Sequence, residues 1–207
     1  MKRTLFTVLL VQVSLFSVAQ TELSFKAYLN ASYEIMHILP QQGWELARPS
    51  FGVRQELQGR WYHEMELSRL LLGRTREQGG LSPLDEIITW QFDLALRYTF
   101  GYALIEKGPW HFGLGVGAQP RFLRVRTQFG EEETITMREY QLRFSLIPHL
   151  AYALGSRWQI DWSPVLNLLE THVVREKETG RDRGETYFPA QAITIRLGLA
   201  YRLYKPK

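Results

Sequence analysis

The stretch AITIRLGLAYRLY, Ala192 to Tyr204, decides how the rest of the chain is read. Side chains of an extended strand alternate between its two faces with period two. Ile193, Ile195, Leu197, Leu199, Tyr201 and Leu203 therefore share one face, and Thr194, Arg196, Gly198, Ala200 and Arg202 share the other. One face is apolar from end to end, while the opposite one is polar or small. A soluble sandwich would turn the apolar face to a core, so one strand alone leaves open what that face meets.

Repetition closes the question. The same alternation predicts strands over about Glu22 to Ile38, Pro49 to Leu57, from Trp61 to Ser68, from Ile88 to Phe100, from Trp110 onward, from Tyr140 to Leu150 and from Trp158 to Asn167, ahead of the closing stretch. Short turns fall at Gln58-Gly59-Arg60, Glu106 to Pro109 and Leu154 to Arg157. Between them lie longer polar segments: Pro40 to Gly43 with Trp44, Arg74 to Asp85, Gly130 to Glu133, and Arg175 to Glu185. Eight strands joined long, short, long, short, long, short, long make an all-β chain, an eight-stranded antiparallel up-and-down transmembrane β-barrel with short periplasmic turns and longer extracellular loops. The cleanest strand has Ile88, Trp90, Phe92, Leu94, Leu96, Tyr98 and Phe100 outside, its aromatic residues gathered toward both ends as interfacial belts require. On the fifth strand Gly113, Gly115 and Gly117 face inward, which leaves room for long side chains from neighbouring strands. Pro120 marks a place where the register can slip by one residue. His63 falls on the apolar face near a turn, where its polar tip can sit at headgroup level.

The first residues stand apart. Lys2 and Arg3 precede a weakly polar run from Leu5 to Val18, and Ser17-Val18-Ala19 offers small residues where a signal peptidase reads them. Residues 1–19 are expected to be a cleaved secretory signal and residues 20–207 the barrel domain. The run is shorter than the roughly 20 residues of a helical membrane span. Of 25 basic residues, Lys2 and Arg3 go with the signal, leaving 23 against 21 acidic, so the basic balance is no argument for nucleic acid. The chain has no cysteine, which excludes disulfides, thiolate metal sites and a lipid-anchored N-terminus.

An eight-stranded lumen is about wide enough to be filled by its own side chains. Parity turns Lys26, Arg54, Arg97, Arg121, Arg143, Arg196 and Arg202 inward, together with Glu34, Glu56, Glu64, Glu66, Asp93 and Asp161. Buried ions persist only when paired and hydrogen-bonded. The expectation is an interlocked salt-bridge plug. At the outer end of strands five and six, Arg124, Arg126 and Arg138 are candidates to contact lipopolysaccharide phosphates, but the plainer reading, that they pair with Glu131 to Glu133 or turn inward after a bulge, is preferred. No cofactor or metal site is expected: His111 and His149 on adjacent strands lack a carboxylate set suited to a metal. Ser145, His149 and Asp161 are the nearest approach to a hydrolytic group, and at the periplasmic end they are badly placed for outer-leaflet chemistry.

The layout resembles the small eight-stranded outer-membrane barrel superfamily of the OmpA transmembrane-domain and OmpX type. The resemblance covers about Glu22 to Tyr204 and rests on the architecture, a signal ending Ser-Val-Ala-Gln, and a closing strand with Tyr201 near its end, similar to the signal read by the barrel-assembly machinery. Lys205-Pro206-Lys207 after the last aromatic departs from the usual ending. The resemblance implies residence in the cell outer membrane and contact with its lipids; no peptidoglycan-binding domain is expected after the barrel, so the cell-wall anchoring of the longer relatives is not implied. Some relatives are lipid A deacylases with a His-x-Ser pair, but here the residues two after each histidine are Leu39, Met65, Gly113, Ala151 and Val174. The expected function is therefore that of a non-enzymatic, monomeric outer-membrane barrel acting in envelope structure or surface interaction through its extracellular loops, with the segments around Trp44 and Tyr187-Phe188 as contact sites. The alternatives are a narrow channel or porin, a lipid A-modifying enzyme, or a soluble β-sandwich.

Overall fold

In the computed structural model the described residues are 23–35, 42–57, 60–78, 86–129, 133–176, 182–187 and 193–204. They form antiparallel strands: β1 (Leu23–Ile35), β2 (Gln42–Glu56), β3 (Trp61–Gln78), β4 (Glu86–Lys107), β5 (Trp110–Phe129), β6 (Glu133–Ala153), β7 (Trp158–Trp162), β8 (Val165–Glu176), β9 (Asp182–Tyr187) and β10 (Ile193–Tyr204). From β1 to β7 neighbours in sequence are neighbours in space, and β1 pairs with β10 from Leu23↔Tyr204 to Ser32↔Thr194, closing the ring. β7 and β8 follow one another along β6 and make one stave, and β10 and β9 follow one another along the other side of β7 and β8 and make the next. The barrel thus has eight staves.

Pro164 explains the division of that stave. Proline brings no N–H to a ladder, and the strand is interrupted between Trp162 and Val165. Ser163 stays fixed because its N–H donates to the Arg196 carbonyl at 3.0 Å and its own carbonyl accepts from Arg196 Nε at 3.2 Å. A register shift between Phe144 and Ser145 opposite Leu169 and Asn167 restores the inward direction at Glu170.

Pro120 behaves differently from the sequence expectation. The β4–β5 ladder skips Leu96 and Arg97 opposite Pro120 and Gln119, yet Tyr98↔Ala118 and Ala95↔Arg121 belong to one register, and β5–β6 runs unbroken through Pro120↔Leu142. The missing N–H removes a rung without sliding the strand, so parity continues outward at Arg124 and Arg126.

The strands are also longer than their apolar cores. Arg74 to Gln78 pair with β4 instead of starting a loop, Trp44 lies in β2, and most of the charged segment 175–185 that reads as a loop is a hairpin, β8 pairing with β9 from Glu170↔Tyr187 to Arg175↔Asp182. Charged residues make no membrane-facing stripe, but outside the apolar band water tolerates them on both sheet faces. Tight turns lie at the other end: Arg60 (φ 70) and Gly108 (φ 59) occupy the left-handed region that such turns need.

One seam is short. β2 and β3 pair only from Glu56↔Tyr62 to Phe51↔Leu67, while β2 keeps pairing with β1 up to Gln42 and β3 with β4 up to Gln78. A bulge at Ser68 and Arg69, both buried, diverts β3 away from β2. Beyond Phe51 and Leu67 the two strands share no described backbone rung, beside Pro49.

Candidate functional site

Outside, the barrel presents what lipid wants. Phe25, Leu29, Leu96, Phe100, Val116 and Leu197 are all exposed and alternate with inward residues that are polar or small. At the turn end three cross-strand pairs repeat one motif: Trp61 with Tyr102 (4.8 Å between ring centroids), Trp110 with Tyr152 (4.7 Å) and Trp158 with Tyr201 (4.8 Å), each edge to face. Indole and phenol combine an apolar body with a polar tip, which suits a membrane–water boundary. His63 is not a free polar tip at this face: its Nε2 lies 2.8 Å from Gln55 Oε1 and both are buried.

Inside, the charges interlock across the lumen. Lys26 Nζ donates to Asp161 at 2.5 Å and lies 3.5 Å from Glu64; it is 1% exposed, and Asp161 is fully enclosed. Tyr28 donates its hydroxyl to Glu64 at 2.9 Å, and Arg196 bonds to Glu66. Arg97 donates to Glu66 at 3.2 Å and to Gln119 at 3.0 Å, and Ser50 donates to Glu66 at 2.6 Å. These groups come from β1, β2, β3, β4, β5, β7 and β10, so the layer spans the barrel from wall to wall.

On its extracellular side, Arg121 forks onto Asp93 (2.8 and 2.7 Å), which Arg69 also meets, and Arg143 holds Glu170 (2.8 Å). On its periplasmic side, Arg54 lies 3.5 Å over the Tyr62 ring, donates to His149 at 2.9 Å, and pairs with Glu56 at 2.9 Å. Arg202 donates to Gln159, which donates to Asp161. Low local dielectric strengthens such linked bonds, as long as each ion keeps its partners.

The inner-face glycines make room for two of these side chains. A Cβ on Gly101 would strike Tyr62, one on Gly115 would strike Thr99 and crowd the Tyr62 hydroxyl, and one on Gly198 would strike Tyr28; Gly117 instead makes way for Ile147. The ring of Tyr28 thereby reaches under Arg196, 4.5 Å from its guanidinium.

Among the described residues a space lies in the lumen on each side of the layer. The periplasmic vestibule, about 380 Å³, is lined by Lys26, Arg54, Glu56, His111, His149 and Arg202 among others. The extracellular one, about 20 Å³, touches Arg48, Glu66, Ser68, Arg69 and Arg97 and has room for about one water.

Of the inward residues read from sequence, Lys26, Arg54, Glu64, Glu66, Asp93, Arg97, Arg121, Arg143, Asp161 and Arg196 are buried here; Glu56 and Arg202 are half-buried at the vestibule. The Glu34 side chain, Phe188 and the Glu131 to Glu133 side chains lie outside the described residues. Sequence reasoning missed Arg69, Glu139, Glu170 and His172, all buried. The hydrolytic group does not assemble. Ser145 donates to Asn167 at 2.6 Å, while His149 faces Arg54 and, at 3.4 Å, Asp161. Among the described residues no cluster of three or more metal-ligating side chains occurs.

Arg124, Arg126 and Arg138 point outward on β5 and β6, Arg124 directly opposite Arg138. Arg74 on β3 and Arg126 on β5 flank Trp90 on β4, at 5.6 and 5.3 Å from its ring. Among the described residues no carboxylate pairs with these four arginines, although Arg175, opposite Arg138 on β8, lies across from Asp182.

No protein-family model matches the chain, and no curated protein matches it in sequence. Solved structures do. The chain is similar to a major outer membrane protein from Thermus thermophilus, with 14% identity, 89% of this chain and 100% of that one covered, and a TM-score of 0.52. It also aligns with Ail, the attachment invasion locus protein of Yersinia pestis (12% identity, 88% and 97% covered, TM-score 0.40), and with the outer membrane protein AlkL (13%, 91% and 92%, 0.41). The chain has the fold of the small outer-membrane β-barrels.

Proposed function

We propose that this protein is an integral outer-membrane barrel whose lumen is sealed, and that it works through its outer surface and extracellular end, in envelope structure or surface interaction, without catalysis. The observation that carries the reading is the layer of Lys26, Asp161, Glu64, Arg196, Glu66 and Arg97, which stands between the vestibule and the smaller extracellular space. An ion crossing it would have to part bonded charges buried from water, each worth several kcal/mol to strip of its partners. The continuous apolar exterior and the Trp–Tyr girdle support membrane residence, and pairing of β1 with β10 supports a monomer that needs no second copy to cover an edge there. Insertion by the barrel-assembly machinery and export by a cleaved signal belong to the same proposal.

Planar-bilayer recording of the purified barrel tests it. A sealed lumen gives no steps above the bare bilayer; steady single-channel currents would overturn the reading. For the enzymatic alternative, mass spectra of lipid A from cells with and without the gene should coincide. A narrow conduit is favoured by one feature, the early end of the β2–β3 ladder above Phe51 and Leu67. That break in backbone pairing lies outward of Glu66 and leaves the Lys26 layer itself intact.

A further inference from the structure

The outer face of β3 to β6 changes character within one step of the ladder. At one level Leu70, Leu94, Phe122 and Tyr140 lie opposite one another across the four strands, with Phe122 and Tyr140 in ring contact at 5.1 Å. One step farther out the same ladder reads Leu72, Phe92, Arg124, Arg138, and the next reads Arg74, Trp90, Arg126, Thr136. Four guanidinium groups thus stand directly above an apolar band. The height fits a membrane boundary: from Tyr102 in the aromatic girdle to Phe92 is roughly ten residues of β4, and at about 3.3 Å each with a tilt near 40° that rises about 25 Å, the height of an outer-membrane apolar belt.

Like charges directly opposite each other destabilise a strand pair, yet Arg124 faces Arg138 with no described carboxylate on either. Arg74 and Arg126 are held instead against the two sides of Trp90, which braces them by cation–π attraction. Between Leu72, Arg74, Trp90, Phe92, Arg124 and Arg126 lies a groove of about 520 Å³. Its floor is apolar and aromatic and its rim is cationic.

We infer that this groove, with Arg138 beside it, docks the phosphorylated headgroup of an outer-leaflet lipid, the phosphate lying between Arg124 and Arg138 and the acyl chains running down over Leu94, Phe122 and Tyr140. The inference rests on the reading of the outer face as lipid-facing. Guanidinium forks match phosphate oxygens two at a time, and a dianionic monoester answers the repulsion between opposed arginines. A free anion would meet the same arginines but leave the leucine and phenylalanine floor uncovered, which is why a lipid fits better than inorganic phosphate.

The test uses the full barrel in phosphatidylcholine vesicles containing bisphosphorylated lipid A, dephosphorylated lipid A or neither, re-extracted in mild detergent, with bound lipid counted by native mass spectrometry. The wild type should retain the bisphosphorylated form, Arg124→Gln/Arg138→Gln at least tenfold less of it, and Arg124→Lys/Arg138→Lys an intermediate amount. Arg157→Gln, an exposed arginine at the opposite rim bonded to the Tyr201 hydroxyl, should match the wild type. Heat-modifiable mobility verifies that each variant is folded; should the glutamine pair not fold, Arg126→Gln and the lysine pair carry the comparison. Equal retention by the glutamine variant, equal retention of dephosphorylated lipid (acyl contact alone), or full displacement by millimolar inorganic phosphate (a soluble-anion site) each overturns the inference. Currents from the wild-type barrel would sink the sealed lumen while leaving these lipid counts untouched, so the two readings fail separately.

Discussion

Replacing Lys26 by methionine removes the cation at the centre of the plug while nearly keeping its length. Lys26 is 1% exposed and is shared by Asp161 and Glu64. Removing one member of a buried ion pair costs about 3–5 kcal/mol, because the other is left as an uncompensated charge. Here the lower end applies: Asp161 keeps the Gln159 donor at 2.6 Å, and Glu64 keeps Tyr28 at 2.9 Å and Arg196 at 3.7 Å. The expected loss is about 3 kcal/mol, on the order of a hundredfold in the unfolding equilibrium. Reversible urea unfolding in phospholipid vesicles, followed by heat-modifiable gel mobility, reads it directly. Adding Asp161→Asn to Lys26→Met neutralises the stranded carboxylate while keeping its shape, and should recover at least half the loss. A single variant within about 1 kcal/mol of wild type, or a double variant as unstable as the sum of its parts, would refute the coupling of this pair.

Gly198→Val sets a branched side chain against the Tyr28 ring; as overpacking of a filled interior it should cost about 1–3 kcal/mol, seen as a lower urea midpoint, whereas Gly108→Ala, in open space at a turn, should cost only the strain of its positive φ. Trp158→Ala removes a partner of Tyr201 at the girdle and should lower stability in vesicles by about 1 kcal/mol or more, with no change in conductance. Ser145→Ala breaks only its bond to Asn167 and should leave the lipid A mass profile of expressing cells unchanged; a changed profile would reopen the enzymatic reading. Arg121→Met strands Asp93, which keeps Arg69, and should destabilise by about 3 kcal/mol without opening a current.

The staves and their facing were legible because period-two alternation survives wherever one side meets lipid and the other meets a filled lumen. Legibility failed where the ladder departs from simple counting. Arg69 was lost because the bulge at Ser68 sends two consecutive residues inward. Glu170 was hidden behind Pro164 and the shift opposite Ser145, after which counting from Trp158 no longer gives the facing. Glu139 was missed because the sixth strand was begun at Tyr140, where the outer apolar residues begin, although pairing continues to Glu133. Strand ends beyond the membrane carry no lipid-facing stripe, so hydropathy is silent about them. Pro120 shows the opposite case: a feature that signals slippage in sequence is accommodated by losing a rung while the register holds. The arginine belt was half legible. Arg124, Arg126 and Arg138 follow from parity, but Arg74 and Trp90 join them only once the cross-strand register is known.

The central claim is that β4 turns Leu94, Leu96, Tyr98 and Phe100 to lipid and Asp93, Ala95, Arg97 and Thr99 to a closed interior. Nitroxide side chains placed singly at Leu94, Ala95, Leu96, Tyr98, Thr99 and Phe100 in vesicles, with collision rates measured for oxygen and for a water-soluble nickel chelate, test it most directly. The account predicts strong oxygen contact at Leu94, Leu96, Tyr98 and Phe100 and contact with neither reagent at Ala95 and Thr99. Nickel contact at Ala95 and Thr99 would reveal a water-filled lumen, and low oxygen contact at the outer four would mean that the apolar face is covered by protein and not by lipid.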